Sequence, residues 1–92
     1  MTAYRYDPRK DAWLQRHRRV GFEAILQAIA AGGLLQVLPN RRYPGQLLAE
    51  VLVGGYVYRV PFREQADGTV WELITLYPSR RATRAWRKRS AR

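Results

Sequence analysis

The sequence contains no cysteine and only one histidine, His17. Without thiols the chain forms no disulfide framework and has no thiolate to act as a nucleophile or metal ligand. A single histidine also excludes the multi-histidine clusters that bind zinc, so we expect neither a metal ion nor another cofactor. Paired-carboxylate sites, phosphate-binding glycine loops and nucleophile elbows are missing from the sequence as well.

Long apolar runs are also lacking. No stretch approaches the ~18 apolar residues of a membrane-spanning helix, and the segment MTAYRYDPRKDAW has no apolar signal-peptide core. We therefore expect a cytoplasmic protein without a membrane partner. The chain has 92 residues, of which 47% are hydrophobic and 26% are charged. This composition is typical of one small folded domain, covering residues 1–92.

Acidic residues are few, and the excess of positive charge is unevenly distributed. The chain has 17 Lys and Arg against 7 Asp and Glu, for a net charge of +10. Seven of the basic residues and no acidic residue lie in 79–92, SRRATRAWRKRSAR, which gives this segment a strong local field. Nearly all of the cations are arginines, which suit bidentate phosphate contacts, although codon bias would produce the same ratio.

Sequence patterns predict two helices in the first third of the chain. Asp7-Pro8 is a typical helix start, because Asp caps free N–H groups and Pro fits the first helical position. Trp13 and His17 would share one face of this helix. In GFEAILQAIAAGG, apolar residues at i, i+3, i+4 and i+7 predict a second helix, which ends at Gly32-Gly33.

Three strands are predicted in the middle of the chain. QLLAEVLV meets YVYRVPF across a Gly-Gly pair, and VWELITLY follows an Asp-Gly pair, both of which suit tight hairpin turns. If each turn has two residues, Glu50 faces Arg59 and Arg63 faces Glu72. These four residues would form an ionic face, and the opposite apolar face would pack on the helices.

A third helix is predicted at about 79–92, with Ser79 as its N-cap. Because so dense a charge should repel itself without an anionic partner, we expect Arg80, Arg81 and Arg84 to bind phosphates, although a solvated basic face is the ordinary alternative. General attraction would come from the distal Arg87, Lys88, Arg89 and Arg92. Aromatic residues able to stack on bases are Tyr56, Tyr58, Trp71, Tyr77 and Trp86, most of which also suit a core.

These residues match the needs of RNA cleavage by the 2′-hydroxyl of the RNA itself. That reaction requires positioning of the strand, assistance to proton transfer and neutralisation of the phosphorane charge. Arginines supply the neutralising charge. Histidine titrates nearest to neutral pH, so His17 is a candidate acid or base, and simple packing beside Trp13 is an equal alternative.

Three segments together resemble BrnT-type toxins of bacterial toxin–antitoxin pairs. YRYDPRKDAWLQRH is similar to the opening of those toxins, VGFEAILQAI to their second helix, and LYPSRRATRAWRK to their passage from a strand into a helix. The resemblance implies a small RelE-like α+β fold, in which two N-terminal helices pack on an antiparallel sheet followed by a basic C-terminal helix. It also implies a ribonuclease that blocks translation and a cognate antitoxin, through which the complex would bind operator DNA.

Carried over by position, the resemblance implies catalytic roles for His17, Arg59, Arg80 and Arg81. Thr83 and Arg84 also match positions in the motifs of these toxins, and Lys10 matches a basic position in their first helix. The expected RNA-binding set is thus Lys10, Thr83, Arg84, Arg87 and Lys88. Two other classes of function stay open: a non-catalytic RNA- or DNA-binding module, and a protein whose arginines mainly hold an acidic antitoxin.

Overall fold

The computed structural model describes residues 2–91. These residues form an α+β fold with three helices and a six-stranded, mostly antiparallel sheet. In chain order the elements are β1 (Ala3–Arg5), α1 (Pro8–Arg18), α2 (Phe22–Ala30), β2 (Leu34–Pro39), β3 (Leu47–Val53), β4 (Tyr56–Gln65), β5 (Val70–Leu73), β6 (Tyr77–Pro78) and α3 (Arg80–Ser90). The strand order is β1-β5-β4-β3-β2, and β6 pairs with β4 next to the part that β5 covers.

Helix α1 begins as the sequence predicts, and it also helps to begin α2. The Asp7 carboxylate accepts a hydrogen bond from Arg9 N (2.8 Å), and this bond lowers the pKa of Asp7 below its ordinary value. Helix α2 has Gly21 at its N-cap, which has no side chain for capping. Asp11 of α1 caps α2 instead, because its Oδ1 accepts a hydrogen bond from Phe22 N at 2.7 Å. A Cβ on Gly21 would lie 2.6 Å from this oxygen, so a larger residue there would force the Asp11 carboxylate to shift.

The apolar core lies between the two N-terminal helices and one face of the sheet. Its helical members are Leu14, Phe22 and Ile25, and its sheet members include Ala49, Val51, Val60 and Phe62. The predicted hairpin register is confirmed, since Glu50 pairs with Arg59 and Arg63 pairs with Glu72. Alternation along β4 therefore directs Val60 toward the helices and Arg59 away from them.

The sheet departs from the expected antiparallel pattern at one edge, where β1 pairs with β5 in parallel. The segment VWELITLY also forms two strands instead of one, because β5 ends at Leu73 and β6 begins at Tyr77. Leu73 and Leu76 both enter the core. Residues three apart point to opposite faces of a regular strand, so the chain must leave the strand conformation to bury both.

The face opposite the core is also less ionic than expected. Leu48, Val57 and Pro61 are buried on it, beside Glu50 and Arg59. Helix α3 packs against β4 near this face. None of the helices within residues 2–91 is long and apolar enough to cross a membrane.

Candidate functional site

An open cleft of about 480 Å³ lies on the sheet face opposite the core. Four arginines line it: Arg41 and Arg42 from the β2–β3 loop, Arg59 from β4 and Arg81 from α3. The other lining residues are Leu38, Pro39, Asn40, Leu48 and Tyr77, so no carboxylate is among the described lining residues. Converging guanidinium groups in a concave surface favour binding of an anion, with phosphate the natural partner.

Pairing across the sheet places Arg59 between Glu50 of β3 and Tyr77 of β6. The Glu50 side chain is 5% exposed and its Oε2 lies 3.0 Å from Arg59 Nε. Its Oε1 accepts a hydrogen bond from Gln36 Nε2 at 2.8 Å. Glu50 therefore fixes Arg59 through Nε, which leaves the two Nη groups of the guanidinium for a ligand in the cleft.

Helix α3 divides its arginines between two surfaces. Arg81 lines the cleft with Arg59. Arg80, Arg84 and Arg87 instead line a smaller cavity of about 200 Å³ beside Tyr56. The structure thus brings together only two of the four residues expected to be catalytic. Lys88 and Arg89 are exposed near the end of α3, and Arg92 lies outside the described residues.

Thr83 borders the cavity that Arg80, Arg84 and Arg87 line, but its hydroxyl is engaged by hydrogen bonds within the protein. It is 1% exposed, and its hydroxyl donates to Ser79 O (2.7 Å) and accepts from Val57 N (2.9 Å). Ser79 caps α3 by accepting from Ala82 N (3.0 Å), as predicted, and its own N–H donates to Val57 O (2.9 Å). Thr83 and Ser79 together attach the start of α3 to β4 and so position Arg81.

We expect Thr83→Val to lower the free energy of unfolding by about 1–3 kcal/mol, because Val57 N would be left buried without an acceptor. Thr83→Ser keeps the hydroxyl, so its free energy of unfolding should be much closer to that of the wild type. Denaturant melts of the three proteins measure the difference. Equal stability of Thr83→Val and the wild type would contradict the structural role assigned to this hydroxyl.

His17 lies on α1, which packs on the core side of the sheet through Leu14. Its ring stacks on Trp13 with centroids 4.4 Å apart, and its Nδ1 lies 2.9 Å from Trp13 O. Lys10 is half-buried and lies beside them, with Nζ 4.4 Å from the centre of the Trp13 ring. The structure therefore does not bring His17 or Lys10 into the cleft that Arg59 and Arg81 share.

The contribution of the loop NRRYPGQ was not predicted from the sequence. Asn40, Arg41 and Arg42 from this loop line the cleft. The signal was the pair of adjacent arginines one residue after LLQVLP. Pairing of that segment with β3, in which Leu38 opposes Leu48, carries the loop to the end of the sheet face that holds Arg59.

Comparison of the chain with protein-family models, with curated proteins and with solved structures gave no match. The class of this protein is therefore described from its structure: it is a small α+β protein with an arginine-lined cleft on the sheet face opposite its core.

Proposed function

We propose that this protein is a RelE-like ribonuclease toxin, similar to the BrnT type, that binds RNA in the arginine cleft. The observation that carries the proposal is the cavity shared by Arg59 and Arg81, lined by four arginines. Two N-terminal helices, the sheet and a basic C-terminal helix agree with the arrangement that the resemblance implies. A phosphodiester in this cleft would meet several cationic donors, the arrangement that stabilises a phosphorane.

The reaction would be attack of the RNA's 2′-oxygen on the adjacent phosphorus, with cleavage of the P–O5′ bond. The products are a 2′,3′-cyclic phosphate and a free 5′-hydroxyl. Arg59 and Arg81 would hold the phosphate and its developing charge. The 2′-hydroxyl proton would pass to solvent, and the Tyr77 hydroxyl is the group in the cleft suited to donate a proton to O5′, which it would recover from solvent. His17, on the other side of the sheet, has no part in this scheme.

The mechanism predicts a specific requirement for the 2′-hydroxyl at the cut site. Partner-free protein should cleave a short RNA in the presence of EDTA, but should leave intact the same RNA with deoxyribose at the cut position. Mass spectrometry of the fragments should find a 2′,3′-cyclic phosphate or its 3′-phosphate hydrolysis product. Cleavage of the deoxy substrate, or loss of all activity in EDTA, would rule this mechanism out.

A second candidate function is non-catalytic RNA binding. It is favoured by the position of His17, since among the described residues the cleft has no histidine. The carboxylate that contacts Arg59, Glu50, is held by Arg59 and Gln36. Under this alternative, partner-free protein would bind both RNA and its deoxy-substituted form without cutting either. The substrate comparison described above therefore separates the two functions.

We further propose that an acidic antitoxin covers part of the basic surface and carries the complex to operator DNA. Outside the cleft, α3 has five exposed cations that supply a surface of one charge for such a partner: Arg80, Arg84, Arg87, Lys88 and Arg89. If charge is the main attraction, the affinity should fall as salt rises, because ions screen exposed charges. Calorimetric titration of the purified pair at several salt concentrations measures this, and a constant affinity would indicate apolar docking instead.

A further inference from the structure

We propose that the loop 40–46 forms a nucleobase subsite beside the arginine cleft, an inference that rests on the proposed RNA binding. A second open cavity, of about 500 Å³, lies next to the cleft. The two cavities share three lining residues, Asn40, Arg42 and Tyr77. Because the phosphate and base of one nucleotide are neighbours, adjoining cavities of different chemistry suit a single nucleotide.

The walls of this second cavity have the mixed chemistry that a base requires. Tyr43, Pro61 and Ile74 offer aromatic or apolar surface, whereas Gln46 and Thr75 offer an amide and a hydroxyl. A nucleobase has flat faces that stack on such surfaces and polar edges that pair with amides and hydroxyls. The arginine cleft, by contrast, presents mainly positive charge. The phosphate would therefore lie in the cleft and the base in the loop cavity.

The loop is held in shape before any ligand arrives. Asn40 is 9% exposed; its Oδ1 accepts from Arg42 N (3.2 Å) and its Nδ2 donates to Gln46 Oε1 (3.3 Å). The backbone closes the loop twice more, with Asn40 N donating to Gln46 O and Gln46 N donating to Tyr43 O, both at 3.1 Å. A preorganised site loses less entropy on binding than a mobile loop does.

Tyr43 is the residue that most needs an explanation. It is 52% exposed, the most exposed large apolar side chain within residues 2–91, and its ring lies 5.8 Å from the Arg42 guanidinium. It is not part of the core cluster, so packing of the core does not require it. A tyrosine displayed beside a basic cleft is suited to stack on the base of a nucleotide bound there.

The test compares two oligomers that the protein cannot cut: a single-stranded 2′-O-methyl RNA and the same backbone without bases. Tyr43→Ala should weaken binding of the base-containing oligomer by about tenfold or more, as expected for one lost stacking contact. It should leave binding of the abasic oligomer unchanged. Tyr43→Phe keeps the ring and should bind like the wild type. Trp13→Ala, which removes an exposed aromatic on the other side of the sheet, is the matched control.

The outcomes separate this inference from the function on which it rests. Arg81→Ala should weaken binding of both oligomers, because it acts on the phosphate. An equal effect of Tyr43→Ala on the two oligomers, or no effect on either, would overturn the base subsite and leave RNA binding intact. Failure of the wild type to bind either oligomer would overturn both proposals. Tyr43 is exposed, so thermal melts of its variants should match the wild type.

Discussion

Replacing Arg81 with alanine should lower the rate of RNA cleavage by about 10²–10³-fold, the usual loss when one electrostatic donor to a transition state is removed. Replacing Arg80 should leave the rate nearly unchanged. The two arginines are adjacent on α3 and both are exposed. Their side chains line different cavities. Arg81 lines the cleft with Arg59, whereas Arg80 lines the cavity beside Tyr56. Single-turnover cleavage of one RNA by the two variants measures the contrast.

Each of these two variants is the control for the other, because both change the net charge and the helix in the same way. Each variant loses one positive charge and gains the same alanine at neighbouring exposed positions. Equal losses of rate would mean that α3 acts through its overall charge and not through a defined phosphate site. A large loss for Arg80→Ala alone would move the site to the cavity that also contains Arg84 and Arg87.

The contrast between Arg80 and Arg81 could not be predicted from the sequence. A run of basic residues indicates a charged helix, but the side that meets the sheet depends on how Thr83 and Ser79 attach the helix to β4. The bond between Val57 and Thr83 alone joins residues 26 apart in the chain. No local pattern encodes such long-range hydrogen bonds, so the prediction from sequence treated the two arginines alike.

The hairpin register, in contrast, was predictable from local signals. A glycine pair with positive φ at both residues closes a tight turn. Once that turn is placed, alternation along the strands fixes every cross-strand pair, including Glu50 with Arg59. The parallel pairing of β1 with β5 was not predicted, because its partners lie at opposite ends of the chain and share no turn.

The side of the sheet on which His17 lies was not predictable for a different reason. Only Leu14 is buried along α1, and the helix has no broad apolar stripe that would reveal its orientation. The sequence places Trp13 and His17 on one face, which the structure confirms through their stacked rings. It does not say whether that face meets the sheet or the solvent. Spacing within a helix therefore identified a contact between two residues but not the surface to which they belong.

The stability of the folded protein should depend strongly on Arg59. Arg59→Met should lower the free energy of unfolding by about 3 kcal/mol, because it leaves the carboxylate of Glu50 buried without its partner. This is the lower end of the usual range, since the Arg59 side chain is itself 29% exposed. For a domain of this size the melting temperature should fall by about 12–24 °C. Methionine keeps most of the arginine stem, so the loss reports the charge and not the packing.

Arg63→Met is the matched control for Arg59→Met. Arg63 lies on the same strand and also faces a glutamate, Glu72, at 3.7 Å. Their side chains are 52% and 41% exposed, so water screens the pair and its loss should cost less than about 1 kcal/mol. Equal melting temperatures for the two variants would show that the pair of Arg59 and Glu50 is no more important to the fold than a surface ion pair.

A double variant identifies the buried charge as the cause. Adding Glu50→Leu to Arg59→Met removes both charges and should restore most of the lost stability, since an apolar pair of similar volume often matches a buried ion pair. If the double variant melts as low as Arg59→Met, the loss comes from packing, and the role of Glu50 in holding Arg59 toward the phosphate must be abandoned.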